Sequence, residues 1–422
     1  MQKPSKLAQI PQIRFAGFTK PWEIRKLGDC AKFSKGSGYS KNDLCNIGTP
    51  IILYGRLYTK YETIIKKVNT FVRPKDSSVY SKGGEIIIPA SGETANDIAR
   101  ASAVENSGIL LGGDLNIISP DKAINSAFLA LSISNGKPQK ELAKKAQGKS
   151  VVHISNSEIK ELNIPFPQKA EQQKIGKLFA NLDKLITLHQ RKCDTLKKVK
   201  KSMLQKMFPK NGASVPEIRF AGFTNPWERR KLGITKTFFT DGNYGESYPK
   251  ASDMADSSKG IPFLTGGNLK EGKLDISGAS YITKEKHEKL ISGHLVEDDI
   301  VIAVRGSLGS LGYVNKGNSG WNINSQLAIL RTDKKELYGK FLLQFLISDM
   351  GQNELLKRQT GSALKQLPIG VIKDVEVPIT LVEEQTKIGE LFANLDNLIT
   401  LHQRKVEKLK DIKAAMLSKA FI

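Results

Sequence analysis

Cysteine is scarce in this 422-residue chain: Cys30, Cys45 and Cys193 are all it has, and no two form a CxxC pair. So odd and scattered a set excludes a disulfide framework or a zinc site and reads as reduced thiols. No run of about 18 apolar residues occurs, so no membrane span is expected. Met1-Gln2-Lys3-Pro4-Ser5-Lys6 leads into no apolar stretch of signal-peptide length, which points to the cytoplasm. Negative charge is also short: 42 Asp and Glu stand against 65 Lys and Arg, a net charge of +23. A surplus that large favours a polyanionic partner, nucleic acid first. Hydrophobic content of 39% is ordinary for a folded chain and excludes wholesale disorder.

What is present is a duplication. Pro11-Gln12-Ile13-Arg14-Phe15-Ala16-Gly17-Phe18-Thr19-Lys20-Pro21-Trp22-Glu23 returns as Pro216-Glu217-Ile218-Arg219-Phe220-Ala221-Gly222-Phe223-Thr224-Asn225-Pro226-Trp227-Glu228. Ile175-Gly176-Lys177-Leu178-Phe179-Ala180-Asn181-Leu182-Asp183 returns as Ile388-Gly389-Glu390-Leu391-Phe392-Ala393-Asn394-Leu395-Asp396. The segments between have diverged, with faint common points at Glu85-Ile86-Ile87-Ile88 and Asp299-Ile300-Val301-Ile302. Drift alone would erode the helices too. One frame carrying two different surfaces is the better account.

Each half ends in a long proline-free stretch, Glu171 to Phe208 and Glu384 onward, that predicts a helix. Ile175, Leu178, Leu182, Leu185, Leu196, Val199 and Met203 follow three- and four-residue spacing, as do Ile388, Leu391, Leu395, Leu398, Leu409, Ile412 and Met416. His189 and Lys192, and His402 and Lys405, interrupt the two stripes alike. So narrow a stripe on so long a helix wants a partner helix, and the other copy, antiparallel, is the expected one. Such a rod is a ruler: two readers held apart by it would touch two short DNA segments and skip the bases between.

The bodies read as mixed α/β. Strands or strand–turn pieces are expected in Gly48–Tyr61, Glu85–Pro89, Ile109–Ser119 and Val151–Ile154, strands in Ile300–Val304, Gly312–Val314 and Leu327–Arg331, and helices in Asn125–Ser134, Lys140–Lys145 and Glu336–Leu356. Pro209-Lys210-Asn211-Gly212-Ala213-Ser214 is the break between halves. Catalytic motifs are missing. Gly267 to Leu274 approaches a phosphate loop but has Leu274 where Ser or Thr would hold magnesium. Gly148-Lys149-Ser150 sits before a strand instead of a helix. Asp121 with Glu158 resembles a nuclease pattern, but Val371 replaces the glutamate in the other half. No Asn/Asp-Pro-Pro-aromatic methyltransferase motif occurs. The chain reads as a binding protein, not an enzyme, with no metal site and no cofactor of its own.

DNA contact requires Lys, Arg and hydroxyls for phosphates, and Arg, Asn and Gln for base edges. In the first half the donors cluster at Lys35, Ser37, Tyr39, Ser40 and Lys41, then at Arg56, Tyr58 and Lys60. In the second half they are Asn243, Tyr244, Asn268, Arg305, Asn322, Asn324, Gln326, Arg358, Gln359, Ser362 and Lys365.

The order of variable body, Glu-Gln-x-x-Ile helix, variable body, Glu-Gln-x-x-Ile helix resembles the specificity subunit of type I restriction–modification enzymes. The helix starts are Glu171-Gln172-Gln173-Lys174-Ile175 and Glu384-Gln385-Thr386-Lys387-Ile388, each after a proline-bounded apolar step, Ile164-Pro165-Phe166-Pro167 and Val377-Pro378-Ile379. The resemblance implies an α+β chain: target recognition domains at 1–168 and 211–381, and spacer helices at 169–210 and 382–422 forming an antiparallel coiled coil in a pseudo-twofold repeat. It implies a sequence-specific DNA-binding subunit that reads a bipartite target, asymmetric because the bodies differ. It also implies two methyltransferase subunits docked on the helices and two restriction/translocase subunits. S-adenosylmethionine, ATP and magnesium would then serve those partners. A coiled-coil scaffold without a DNA role, or part of a fused nuclease–methyltransferase, are the competing readings; charge and diverged loops oppose the first, missing motifs the second.

Overall fold

The computed structural model describes residues 10–148, 150–210, 212–361 and 364–421. Its contacts divide the chain into two compact units, Met1–Arg191 with Gln403–Ile422, and Lys192–His402.

In unit one the central sheet runs in the order Ala31–Lys35, Leu115–Pro120, Ile86–Pro89, Ser102–Val104, Ile64–Ile65. The last pair is parallel and the others antiparallel. Ile86, Ile87 and Ile88 are all inaccessible to solvent. Because side chains alternate across a strand, Ile86 and Ile88 enter the core beneath the helices while Ile87 enters a second core. The strands Leu44–Cys45, Phe71–Val72, Thr49–Ile52, Ser107–Leu111 and Tyr80–Lys82 form another sheet.

Unit two repeats the plan. Its main sheet runs Phe238–Asp241, Leu327–Arg331, Ile300–Ala303, Leu311–Tyr313, Gly272–Leu274, Leu269–Lys270, beside a three-stranded sheet of Ser280–Ile282, Ile261–Leu264 and Asn322–Ile323. Ile300 and Ile302 face one core, Val301 and Ala303 the other.

Two of the strand–turn pieces resolve into their parts, and one expected helix is corrected. Over 48–61 the strand stops at Ile52, and Arg56–Thr59 is a helical turn. Over 109–119 two strands, Ser107–Leu111 and Leu115–Pro120, are joined through Asp114 at φ +58°. The helix expected over 336–356 is broken into Gly339–Ile347 and Asp349–Leu356. Ser348 is extended there, with ψ 156°, and its hydroxyl accepts from the Gly351 N–H at 3.2 Å, capping the second helix.

The long helices are Lys169–Met207 and Val382–Ala420, 39 residues each. The Glu-Gln pair at each start is a lock. Arg14 Nε and Nη2 each donate to the fully buried Glu171 carboxylate at 2.7 Å, and Arg219 grips Glu384 in the same fork at 2.7 and 2.8 Å. Gln172 accepts from the Asn125 N–H at 2.9 Å, and Gln385 from the Tyr338 N–H at 2.8 Å, tying each helix to a helix start of the body. The glycine four residues on permits close contact: a Cβ on Gly176 would stand 2.7 Å from Asn125 Oδ1, and one on Gly389 2.9 Å from the Tyr338 ring.

Within unit one the end of the second long helix packs antiparallel on the start of the first. Lys413 Nζ donates to Asp183 at 2.5 Å, and the Phe421 ring lies 6.2 Å from Phe179. Ile13 N–H donates to the Lys419 carbonyl at 3.2 Å. Within unit two the roles are exchanged: Lys200 Nζ donates to both Asp396 oxygens at 2.7 Å, Ile218 N–H to the Lys206 carbonyl at 2.9 Å, and Phe208 packs 6.1 Å from Trp227. Asp183 is the repeat partner of Asp396, and Lys200 of Lys413. One ion pair is thus made twice, once in each unit.

The heptad phase differs from the expectation. Positions 175, 179, 182, 186, 189, 193, 196, 200, 203 and 207 advance by alternating steps of four and three, and all are buried or half-buried; so are 388, 392, 395, 399, 402, 406, 409, 413, 416 and 420. Ile175, Leu182, Leu196, Met203, Ile388, Leu395, Leu409 and Met416 are therefore in the seam. Leu185, Val199, Leu398 and Ile412 are not: they are 44%, 41%, 45% and 39% exposed. Leu178 and Leu391 are half-buried against the bodies instead. The expectation followed leucines; the seam follows Phe179, Cys193 and Lys200, the lysine tolerated because an aspartate neutralises it. His189 and His402 do sit in it, whereas Lys192 and Lys405 face solvent.

Candidate nucleic-acid interface

Many of the expected DNA contacts are engaged in holding the fold. Ser37 and Tyr39 are buried; the Ser37 hydroxyl accepts from Val79 N–H at 3.2 Å and the Tyr39 hydroxyl from Lys75 N–H at 2.7 Å. Arg56 closes on Glu62 at 2.6 Å and the Lys67 carbonyl at 3.0 Å. Asn243 bridges the Ser292 carbonyl and Ile291 N–H, Asn268 closes a capping box with Thr265, Asn324 accepts from Gln326 N–H, and fully buried Asn322 contacts His287. Arg358 is paired with Glu354 at 2.6 Å. In the free chain these side chains support the fold: Ser37, Tyr39, Asn243, Asn268, Asn322 and Asn324 are buried, and Arg56 and Arg358 are paired with carboxylates.

Lys35, Ser40, Lys41, Lys60, Tyr244, Gln326 and Lys365 are exposed, and Tyr58, Arg305 and Gln359 half-buried. Ser362 lies outside the described residues. The Gly267–Leu274 segment is a short turn and hairpin with no helix after it, so it forms no phosphate cradle. Among the described residues no group of three or more His, Cys, Asp or Glu could hold a metal ion.

Three segments in each unit build a surface that holds the expected Tyr58, Tyr244, Arg305 and Gln326 together with Ser91, Asp114, Gln147, His153, Thr360 and Gln366, which sequence reasoning missed. In unit one, Ala90 N–H donates to the Asp114 carbonyl at 2.7 Å and Ile154 N–H to the Ala90 carbonyl at 3.0 Å; Gln147 and His153 exchange backbone bonds at 3.1 and 2.8 Å. In unit two, Val304 N–H donates to the Gln326 carbonyl at 2.8 Å and Leu367 N–H to the Val304 carbonyl at 3.0 Å; Thr360 and Gln366 exchange bonds at 2.9 Å each. Bond by bond, Ser91 corresponds to Arg305, Asp114 to Gln326, Gln147 to Thr360 and His153 to Gln366. The backbone platform is the same and every side chain differs.

The crowning side chains are held. Ser91 Oγ and His153 Nδ1 are 3.1 Å apart, and the Tyr58 hydroxyl donates to the Ser91 carbonyl at 2.5 Å. Burial, and then the nearby Asp97, push the Tyr58 pKa well above the usual tyrosine value, so it stays a donor. In unit two Arg305 Nε donates to Gln366 Oε1 at 3.2 Å, its guanidinium carbon sits 5.3 Å from the Tyr244 ring centroid, and the Tyr244 hydroxyl donates to the Ser325 carbonyl at 3.0 Å. Burial first, then Asp241, raises the Tyr244 pKa, keeping that donor protonated. An open groove of about 470 Å³ beside the unit-one platform is lined by Lys35, Ser91, Asp114, Gln147, His153 and Glu158 among others.

A family model described as the type I restriction modification DNA specificity domain matches residues 19–198 and 242–411. Among curated proteins the chain is 24% identical over 433 residues to a putative type I restriction enzyme MjaX specificity subunit of Methanocaldococcus jannaschii, covering 99% of this chain and 94% of that one. It is 22% identical to the MjaVIII specificity subunit of the same organism, over 94% of this chain and 91% of that one. Among solved structures, the S subunit of a type I restriction–modification system from M. genitalium aligns at TM-score 0.61 and 17% identity, over 98% of this chain and 99% of that one.

Proposed function

The chain belongs to the type I restriction modification DNA specificity family, and from that membership we propose that it is the subunit that reads DNA for a type I restriction–modification complex. It makes no bond and breaks none; it selects the sequence on which its partners act. The observation that carries this reading is the duplicated platform: one backbone frame made twice, with unlike side chains at each crowning position. Two unlike readers in one chain imply a bipartite, asymmetric target. The net charge of +23 supplies the sequence-independent part of DNA affinity.

The long helices carry nearly the same residues in both repeats, which suits one kind of partner bound twice. We assign them two methyltransferase subunits, with two restriction/translocase subunits completing the complex in the cytoplasm. S-adenosylmethionine, ATP and magnesium then belong to those subunits. No helix among the described residues is long and apolar enough to cross a membrane.

The test is DNA affinity against salt with the methyltransferase partner present. A specific reader loses affinity steeply as salt rises yet still prefers one sequence. Absence of any sequence preference across the salt range would overturn the proposal. Exchanging residues 30–165 for those of another family member should change one word of the target and leave the other.

A further inference from the structure

We propose that the crowning pairs, Ser91–His153 in unit one and Arg305–Gln366 in unit two, read base edges of the two target words, and that Arg305 reads a guanine. This rests on the DNA-recognition reading above and goes further by naming the residues and one base.

Arg305 differs from its neighbours in how it is held. Arg219, Arg230, Arg331 and Arg358 each close an ion pair with a carboxylate. Arg305 is fixed by neutral partners: the Gln366 amide oxygen on Nε and the Tyr244 ring on its face. No acceptor among the described residues takes its Nη1 or Nη2. An arginine held by its inner edge offers its outer N–H groups in a fixed plane. That geometry matches the O6 and N7 acceptors of guanine in the major groove. Because Tyr244 is itself anchored to the Ser325 carbonyl, little rotamer freedom remains to be lost on binding.

The unit-one platform presents a different set at the same backbone positions. Ser91 and His153 replace the arginine and glutamine, and Asp114 stands where unit two has Gln326. The exposed Asp114 carboxylate accepts only, which suits the cytosine N4 amino group and repels a guanine carbonyl. Its left-handed backbone, φ +58°, holds it on the tight turn between two sheet strands. Unlike chemistry on a common frame is what two different words require.

The experiment uses the whole complex with its methyltransferase partner, in a host without other DNA modification, and maps modified sites by sequencing. Arg305→Ala and Arg305→Lys should each relax one G·C pair in one word by roughly 10- to 100-fold, with the other word kept. Gln366→Ala should weaken the same word, and His153→Ala the opposite one. The retained word reports that each variant is folded. If Arg305→Ala and His153→Ala leave both words as strict as before, or relax the same word, the assignment is wrong. A uniform loss at all sequences, the mark of a phosphate contact, overturns it as well. Should the unaltered complex show no sequence preference at all, it is the proposed function that fails.

Discussion

Removing the Phe421 ring tests how the repeats are shared between the compact units. By sequence Phe421 ends the second repeat, yet its ring lies in unit one, 5.9 Å from Phe128, 6.2 Å from Phe179 and 6.4 Å from Trp22. It is 7% exposed, and Trp22, Phe128 and Phe179 are 1% or less. Phe421→Ala therefore opens a cavity whose walls are themselves confined. Such a truncation costs about 3–5 kcal/mol, of which ring–ring geometry supplies about 0.5–1.5 kcal/mol. Hydrogen exchange followed by mass spectrometry resolves the two units separately. Amides of Ile86–Ile88 and Ser126–Ile133 should exchange roughly two to four orders of magnitude faster, while those of Gly339–Ile347 keep their rates. Phe208→Ala should do the reverse. Faster exchange in unit two on loss of Phe421, with unit one unchanged, would refute the exchange of helix ends.

The corrected seam predicts that Leu185→Ser and Leu398→Ser shift stability by no more than about 0.5 kcal/mol, while Leu182→Ala costs about 2–4 kcal/mol; urea midpoints of the three variants check the contrast. Asp396→Lys sets a cation against Lys200, whose side chain is 12% exposed, and should cost about 2–3 kcal/mol. Adding Lys200→Asp should restore part of that loss in a double-mutant cycle, incompletely because Gln344 also donates to Asp396 at 3.1 Å. The Lys75 ammonium, and then the Ser40 backbone N–H, lower the Asp43 carboxyl to about 2. A folded value below the unfolded one means this corner is stabilised above about pH 4 and loses that contribution as pH falls toward 2. Carboxyl chemical shifts should titrate near 2, and Lys75→Met should return Asp43 toward the ordinary aspartate range.

The tandem order, the mixed bodies and the two long helices were legible because each left a repeated mark on the sequence. The seam was only half legible. Positions 175, 182, 196 and 203 came out correctly, since one phase of the heptad is occupied by Ile, Leu, Leu and Met. The alternate phase carries Phe179, Ile186, Cys193 and Lys200, while Leu178, Leu185 and Val199 stand beside it. Two apolar registers thus compete on one helix, and Lys200 is acceptable in the seam because an aspartate about 200 residues away pairs with it. Hydrophobic pattern alone carries no record of a neutralising partner.

The proposed reading surface was legible only in part: Tyr58, Tyr244, Arg305 and Gln326 were among the residues sought, whereas Ser91, His153 and Gln366 were not, for a different reason. Residues were sought where donors crowd together, yet crowded donors such as Asn243, Asn268 and Asn322 are the ones a loop-rich body consumes in tying down its own backbone. Ser91 and His153 stand far apart in the chain and meet only because two strands bond across the sheet edge. A signal did exist. Glu85-Ile86-Ile87-Ile88 aligns with Asp299-Ile300-Val301-Ile302, and carrying that register three residues further sets Ser91 against Arg305. Carrying the match of Gln147 with Thr360 six residues further sets His153 against Gln366. In a duplicated chain, conserved backbone bonds mark where the frame is fixed, so the side chains that differ upon it mark where discrimination is placed. A position that varies because nothing constrains it would not also be held by a tyrosine and a cross-strand hydrogen bond in both copies. The constraint on posture together with the freedom of identity is the physical signature of a reader.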